Sequence, residues 1–121
     1  MSAQVINFNK QKTFTLESAR ELLPVIYRVT LESQKHVSSL VSCLEAIREE
    51  SSDKARELEA RINQAVEQWQ GKMKKLGVEG KGLWLVDFDA GNGYFCWKYP
   101  ETSLDHFHSY TEGFQARVKV N

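Results

Sequence analysis

Charge of one sign is what this 121-residue sequence lacks first: sixteen Lys and Arg balance sixteen Asp and Glu. A chain without net charge has no electrostatic footprint for duplex nucleic acid or for an anionic membrane, so neither is expected as a partner. The one basic cluster, Lys72, Lys74 and Lys75, suits a helix C-terminus instead. Long apolar runs are also missing. Nothing approaches the roughly 20 residues of a membrane span, and the first twelve residues hold no apolar run of signal length. Cysteine is scarce. Cys43 and Cys96 make neither a zinc spacing nor a disulfide framework, and read as two reduced thiols in a reducing compartment. Together these absences point to a cytoplasmic protein. There is no GxGxxG, Walker loop, HExxH or GxSxG, which removes the usual signatures of nucleotide binding, zinc proteolysis and serine hydrolysis. The Gly91–Gly93 run GNG is too short to cradle a phosphate and belongs to a turn.

What is present falls into two halves of one domain, residues 1–121. Residues 1–13 are polar with scattered Val5, Ile6 and Phe8, enough for a short edge strand or for loose chain. From Thr15, an N-cap with Glu17 in the first turn, apolar residues recur at helical spacing: Leu16, Ala19, Leu22, Leu23, Ile26, Val29 or Thr30, Val37, Leu40, Val41, Leu44 and Ile47. Pro24 interrupts, giving either a kinked helix or a short first helix with Pro24 opening the next. Arg48–Asp53 forms a turn in which Ser51, Ser52 or Asp53 caps a second helix. That helix carries Ala55, Leu58, Ile62, Ala65, Val66, Trp69, Met73 and Leu76 on one stripe. Gly77 suits its left-handed C-terminal cap. Two helices of roughly 35 Å joined by a short turn must form an antiparallel hairpin, residues 14–77.

After Gly77 the period changes from 3.6 to 2. Leu83–Phe88 and Tyr94–Tyr99 read as strands flanking the turn Asp89–Gly93. Pro100 ends the second strand. Ser103–Ser109 and Phe114–Val120 read as further strands. The expected fold is α+β: a long antiparallel helical hairpin followed by a small antiparallel sheet over 82–120. Two hairpins side by side would bury both helix faces, with Val25, Val29, Leu31 and Val66 otherwise exposed, so a homodimer through the helices is expected.

Gly82–Arg117 concentrates two of the three Trp, two of the three His and one of the two Cys. Two stretches resemble a known family. Phe14–Pro24 (FTLESARELLP) is similar to the opening FTLEEANxLLP of the bacterial DUF2203 family. Gly82-Leu83, Val86-Asp87-Phe88, Cys96-Trp97-Lys98, Glu101, Phe107-His108, Glu112-Gly113-Phe114 and Arg117 resemble its run GLVDF, CWRxGE, WH, EGF and R. Trp84-Leu85 interrupts the first of these, Pro100 replaces the usual Gly, and Ser109 stands where Glu usually follows His. The resemblance implies a small bacterial cytosolic protein with helices first and a β-rich end, and names no activity.

The candidate ligand-binding residues are Asp87, Cys96, Trp97, Glu101, His108, Glu112 and Arg117. An imidazole among carboxylates suits acid–base work, and Arg117 offers a two-pronged anion contact. As a structural alternative, the same residues can satisfy one another as an ion-pair network. Cys96 with His108 as base suggests a nucleophile, but a Cys between Phe95 and Trp97 on a strand is more often buried and inert. His106 and His108, two apart on a strand, share a face and form a metal candidate if Asp105, Glu101, Glu112 or Cys96 completes the set. No cofactor is expected, the alternative being zinc or another divalent metal. The leading reading is a non-enzymatic binding or interaction module with an unidentified protein or small-molecule partner. The alternative is a small enzyme, possibly metal-assisted, with His108 as base or ligand.

Overall fold

The computed structural model describes residues 13–120; the edge strand considered for the N-terminal segment falls within residues 1–12, outside them. Helix α1 spans Leu16–Ile47 and α2 spans Ser52–Lys75. Thr15 and Ser18 cap α1 reciprocally, each side chain accepting the other's backbone N–H at 3.0 Å. This satisfies donors that the first turn leaves free. Pro24 lies inside α1 without ending it. Its side is exposed, so the carbonyl it deprives of a donor faces water. Ser51 caps α2 by accepting from the Lys54 N–H at 3.3 Å. At the far end Gly77 takes φ +87°, while the Gly77 and Val78 N–H groups return to the Lys74 and Met73 carbonyls. That pair of bonds is a Schellman cap, which needs a left-handed residue there.

The helices pack along the expected stripes. Ala19, Leu23, Ile26, Val37, Leu40 and Leu44 of α1 and Ala55, Ala65, Trp69 and Met73 of α2 are buried. Between Val29 and Thr30 the structure buries Thr30, whose hydroxyl accepts from Trp69 Nε1 at 3.0 Å. A buried indole N–H needs such a partner. Cys43 lies on the exposed side of α1. Val25, Val29, Leu31 and Val66 are half-buried within a single chain. No described helix is long and apolar enough to cross a membrane.

Five strands follow in a meander, every neighbour antiparallel: β1 Glu79–Lys81, β2 Leu85–Asp89, β3 Tyr94–Lys98, β4 His106–His108 and β5 Val118–Lys119. One face lies on the helices. Val86, Phe88 and Trp97 are fully buried in one cluster with Phe14, Ile26, Trp69, Met73 and Leu104. The chain entering α1 is fastened to this sheet, because Phe14 N–H donates to the Asp89 carbonyl at 2.7 Å. Arg20 of α1 also donates from Nε to the Leu104 carbonyl at 3.0 Å.

Strand β4 is shorter than the expected Ser103–Ser109 and β3 ends one residue before Tyr99; three further departures from the sequence reading have a physical cause. Strand β1 has no apolar alternation to betray it. Gly80 is there because a Cβ would sit 2.8 Å from the Trp69 ring. Next, Gly82–Trp84 is a turn, so β2 starts at Leu85 and not at Leu83. Trp84 itself adopts φ +122°, a strained conformation for a bulky residue that costs about 1–3 kcal/mol. Its ring packs edge-on against Trp69 with centroids 4.9 Å apart, which offsets that strain. Finally, Phe114–Val120 is no continuous strand. Phe114–Ala116 form a 3-10 turn and only Val118 and Lys119 pair with β4. The alternation in that stretch is overridden by contacts of Phe114 and Arg117 across the outer face of the sheet.

Candidate functional site

Side chains alternate along a strand, so packing Val86, Phe88 and Trp97 against the helices turns Asp87 and Cys96 the other way. Asp87 lies opposite Cys96 across β2 and β3, and Tyr94 opposite His108 across β3 and β4. This outer face is not left to solvent. The segment 109–117 turns back over it, and Asp87, Cys96 and His108 are all buried, although Asp87 and His108 are polar. They form the floor of a cavity of about 280 Å³, lined also by Tyr94, Tyr110 and Phe114, with the exposed Lys81 and Glu112 at its lining. That volume is at the small end for ligand sites. It suits an ion or a small polar molecule.

His108 has both ring nitrogens engaged. Nδ1 lies 2.8 Å from the Ser109 carbonyl, which can only accept, so Nδ1 carries a proton. Nε2 lies 3.1 Å from Asp87 Oδ1. Side-chain exposure at the two residues is only 4% and 8%. Two lone pairs repel at that distance, so a proton or another cation belongs between them. Cys96 completes the group: one ligand atom each from Asp87, Cys96 and His108 lies within 4.8 Å of the others. Burial pushes the Cys96 thiol up to about 12, with the Asp87 charge adding to it and Arg117 pulling the other way. Such a thiol stays protonated near neutral pH, so the free site offers no thiolate nucleophile.

At the edge of this face Glu101 and Arg117 form a two-pronged ion pair, at 3.1 and 2.6 Å. Lys98 N–H donates to Glu101 Oε1 at 2.9 Å. The Arg117 guanidinium stacks 4.2 Å from the Phe114 ring centroid, so one cation both binds the loop after β3 and holds Phe114 over the cavity. Burial pushes the Glu101 carboxyl upward. Hydrogen bonds from Arg117 and the Lys98 amide, together with the Arg117 charge, outweigh that and hold it below its ordinary value.

The sequence candidates therefore separate. Asp87, Cys96, His108 and Glu112 line one cavity, and Glu101 with Arg117 latch its cover. Trp97 does not take part. It is fully buried on the helix side, with Nε1 donating to the Glu101 carbonyl at 2.7 Å. His106 shares the outer face opposite Cys96, but the grouped ligand atoms are those of His108 and not of His106. Tyr94 and Tyr110 were not among the candidates. Tyr94 lies two residues from Cys96 and so shares its face, a signal that period two could have supplied. Tyr110 donates to Asp89 Oδ1 at 2.6 Å and packs edge-on against Tyr94. No sequence pattern announces that contact.

A helical hairpin carrying a five-stranded meander, with an Asp-Cys-His floor under a folded-back C-terminal segment, defines a class of small α+β protein. The chain belongs to the DUF2203 family, described as an uncharacterized conserved protein, whose family model matches residues 12–120. No curated protein and no solved structure matches it.

The latch has a pH dependence of definite sign. A carboxyl held below its unfolded value, near 4.3, contributes stability that is present above that pH and lost as pH falls through the lower folded value. Glu101→Gln is expected to cost about 1 kcal/mol at pH 7, and the gap to wild type should narrow as pH falls below about 4. Urea melts at both pH values measure this; an equal gap at pH 7 and pH 3 would show the ion pair is inert.

Proposed function

We propose that this DUF2203 protein is a binding module whose ligand occupies the outer-face cavity. The observation that supports it is the burial of two polar side chains, Asp87 and His108, beside the Cys96 thiol at the floor of a cavity instead of in the core. Apolar residues there would fold at least as well, so burying polar groups with a residual cavity above them favours a ligand as their purpose. The protonated thiol speaks for binding over covalent catalysis. The second reading, a small enzyme with His108 as general base, has less support, because Nδ1 is engaged by the Ser109 carbonyl and Nε2 by Asp87. In either reading the module works in the bacterial cytoplasm, where an exposed thiol such as Cys43 remains reduced.

Amide NMR with a panel of small polar fragments at millimolar concentration tests the binding reading. Shifts should gather on Lys81, Asp87, Tyr94, Cys96, His108 and Tyr110, and Tyr110→Ala should weaken them at least about tenfold, the loss of one packed aromatic wall. Shifts scattered over the helices, or none, would remove the cavity as the binding site.

We also propose self-association through the hairpin. Beyond the sheet the two helices form a single layer, in which Val37, Leu40 and Ala65 are buried while Val41, Leu58, Ile62 and Val66 remain half-covered. A second hairpin would complete a four-helix bundle over them. Light scattering at micromolar concentration should give twice the chain mass of 13.9 kDa, reduced to one by Val66→Glu. A wild-type mass of one chain ends the idea.

A further inference from the structure

We propose that Asp87, Cys96 and His108 bind a divalent transition metal of the zinc class, with a fourth coordination position open to the cavity. The inference rests on the reading of the cavity as a ligand site and gives that ligand a chemical class. Three observations carry it.

The first is the donor set. One oxygen, one sulfur and one nitrogen come from three adjacent strands, β2, β3 and β4, within 4.8 Å of each other. Calcium and magnesium take oxygen donors, whereas sulfur with imidazole selects zinc and its neighbours. The distances suit such an ion. Ligands at about 2.0–2.1 Å from a tetrahedral centre stand roughly 3.3 Å apart, and His108 Nε2 and Asp87 Oδ1 already stand 3.1 Å apart.

The second is the orientation of the imidazole. Nδ1–H is fixed by the Ser109 carbonyl, which leaves the Nε2 lone pair aimed at the cluster. A metal-bound histidine is ordinarily held in this way, its other ring nitrogen donating to a carbonyl or carboxylate. The cation required between Nε2 and Asp87 Oδ1 is then the metal in the loaded protein and a proton in the free one.

The third is charge. An ionised Asp87 and a Cys96 thiolate neutralise a divalent ion, giving a buried site without net charge. Arg117, the cation beside Cys96, is itself neutralised by Glu101. On metal binding the Cys96 S–H bond breaks, the sulfur pair forms the metal bond, and the proton leaves to solvent. No redox partner is needed.

The test uses the full chain, stripped by chelator and titrated with cobalt(II) and then zinc(II). One cobalt per chain should bind with a sulfur-to-metal charge-transfer band, and zinc should displace it. In Cys43→Ser, a change at an exposed helix position, Cys96 is the sole thiol and the band should persist unchanged. His108→Gln should weaken binding at least about 100-fold and His106→Gln should leave it intact. If His108→Gln fails to fold, Cys43→Ser alone decides, because loss of its band would place the sulfur donor at Cys43 and overturn the site. Absence of any saturable cobalt signal in folded wild type also overturns it. Fragment binding to the metal-stripped protein separates the two readings: cavity shifts without cobalt binding leave the binding module standing and the metal inference fallen.

Discussion

Strand alternation under two-sided burial is the constraint on which this molecule depends. Val86, Phe88 and Trp97 must meet the helices, since Trp69, Ile26 and Met73 have no other cover. That choice fixes Asp87 and Cys96 on the opposite face; β4 places His106 opposite Cys96 and His108 opposite Tyr94 on that same face, and the His108 ring reaches Asp87 at 3.1 Å. A sheet with one packed face ordinarily leaves its other face wet. Here segment 109–117 closes over it, and polar groups that water would have solvated must satisfy each other or a ligand.

The cover is held by charge. Arg117 reaches Glu101 with two hydrogen bonds and lays its guanidinium on Phe114, a combination a lysine could not make. The pair is partly buried, with side-chain exposures of 16% and 29%, so it is screened less than a surface bridge. Gly93 helps from the other side. A Cβ there would strike the His108 carbonyl at 2.7 Å, so the β2–β3 turn can approach β4 only with glycine at this position.

Much of this was legible in the chain. Spacings of three and four residues, Ser51 at the turn and Gly77 at the end specify the hairpin through local chemistry alone. The run Asp89–Gly93 marks the β2–β3 turn for the same reason. Strand β1 was not legible, because Gly80 is explained only by the Trp69 ring above it. The C-terminal alternation Phe114–Val120 misled, since the ion pair at Arg117 and the stacking of Phe114 defeat a weak strand preference. At the site, Asp87, Cys96, His108 and Glu112 were visible through period two and the family resemblance. His106 and His108 look equivalent in sequence, and strand register alone would favour His106, the partner of Cys96; only the reach of the His108 ring to Asp87 tells them apart. Trp97 was misplaced for a related reason: adjacency to Cys96 puts it on the other face.

The central claim is that the Asp87–Cys96–His108 face lies buried at the floor of a cavity beneath the latched segment. Thiol reactivity measures this directly, because Cys43 is exposed and Cys96 buried in the same chain. With an alkylating reagent at neutral pH, one thiol per folded chain should react rapidly, the Cys43→Ser variant should lose that phase, and Arg117→Ala should raise the Cys96 rate at least about tenfold, as expected when a thiol loses its cover. Alkylation of Cys96 in the wild-type protein as fast as that of Cys43 would contradict the account.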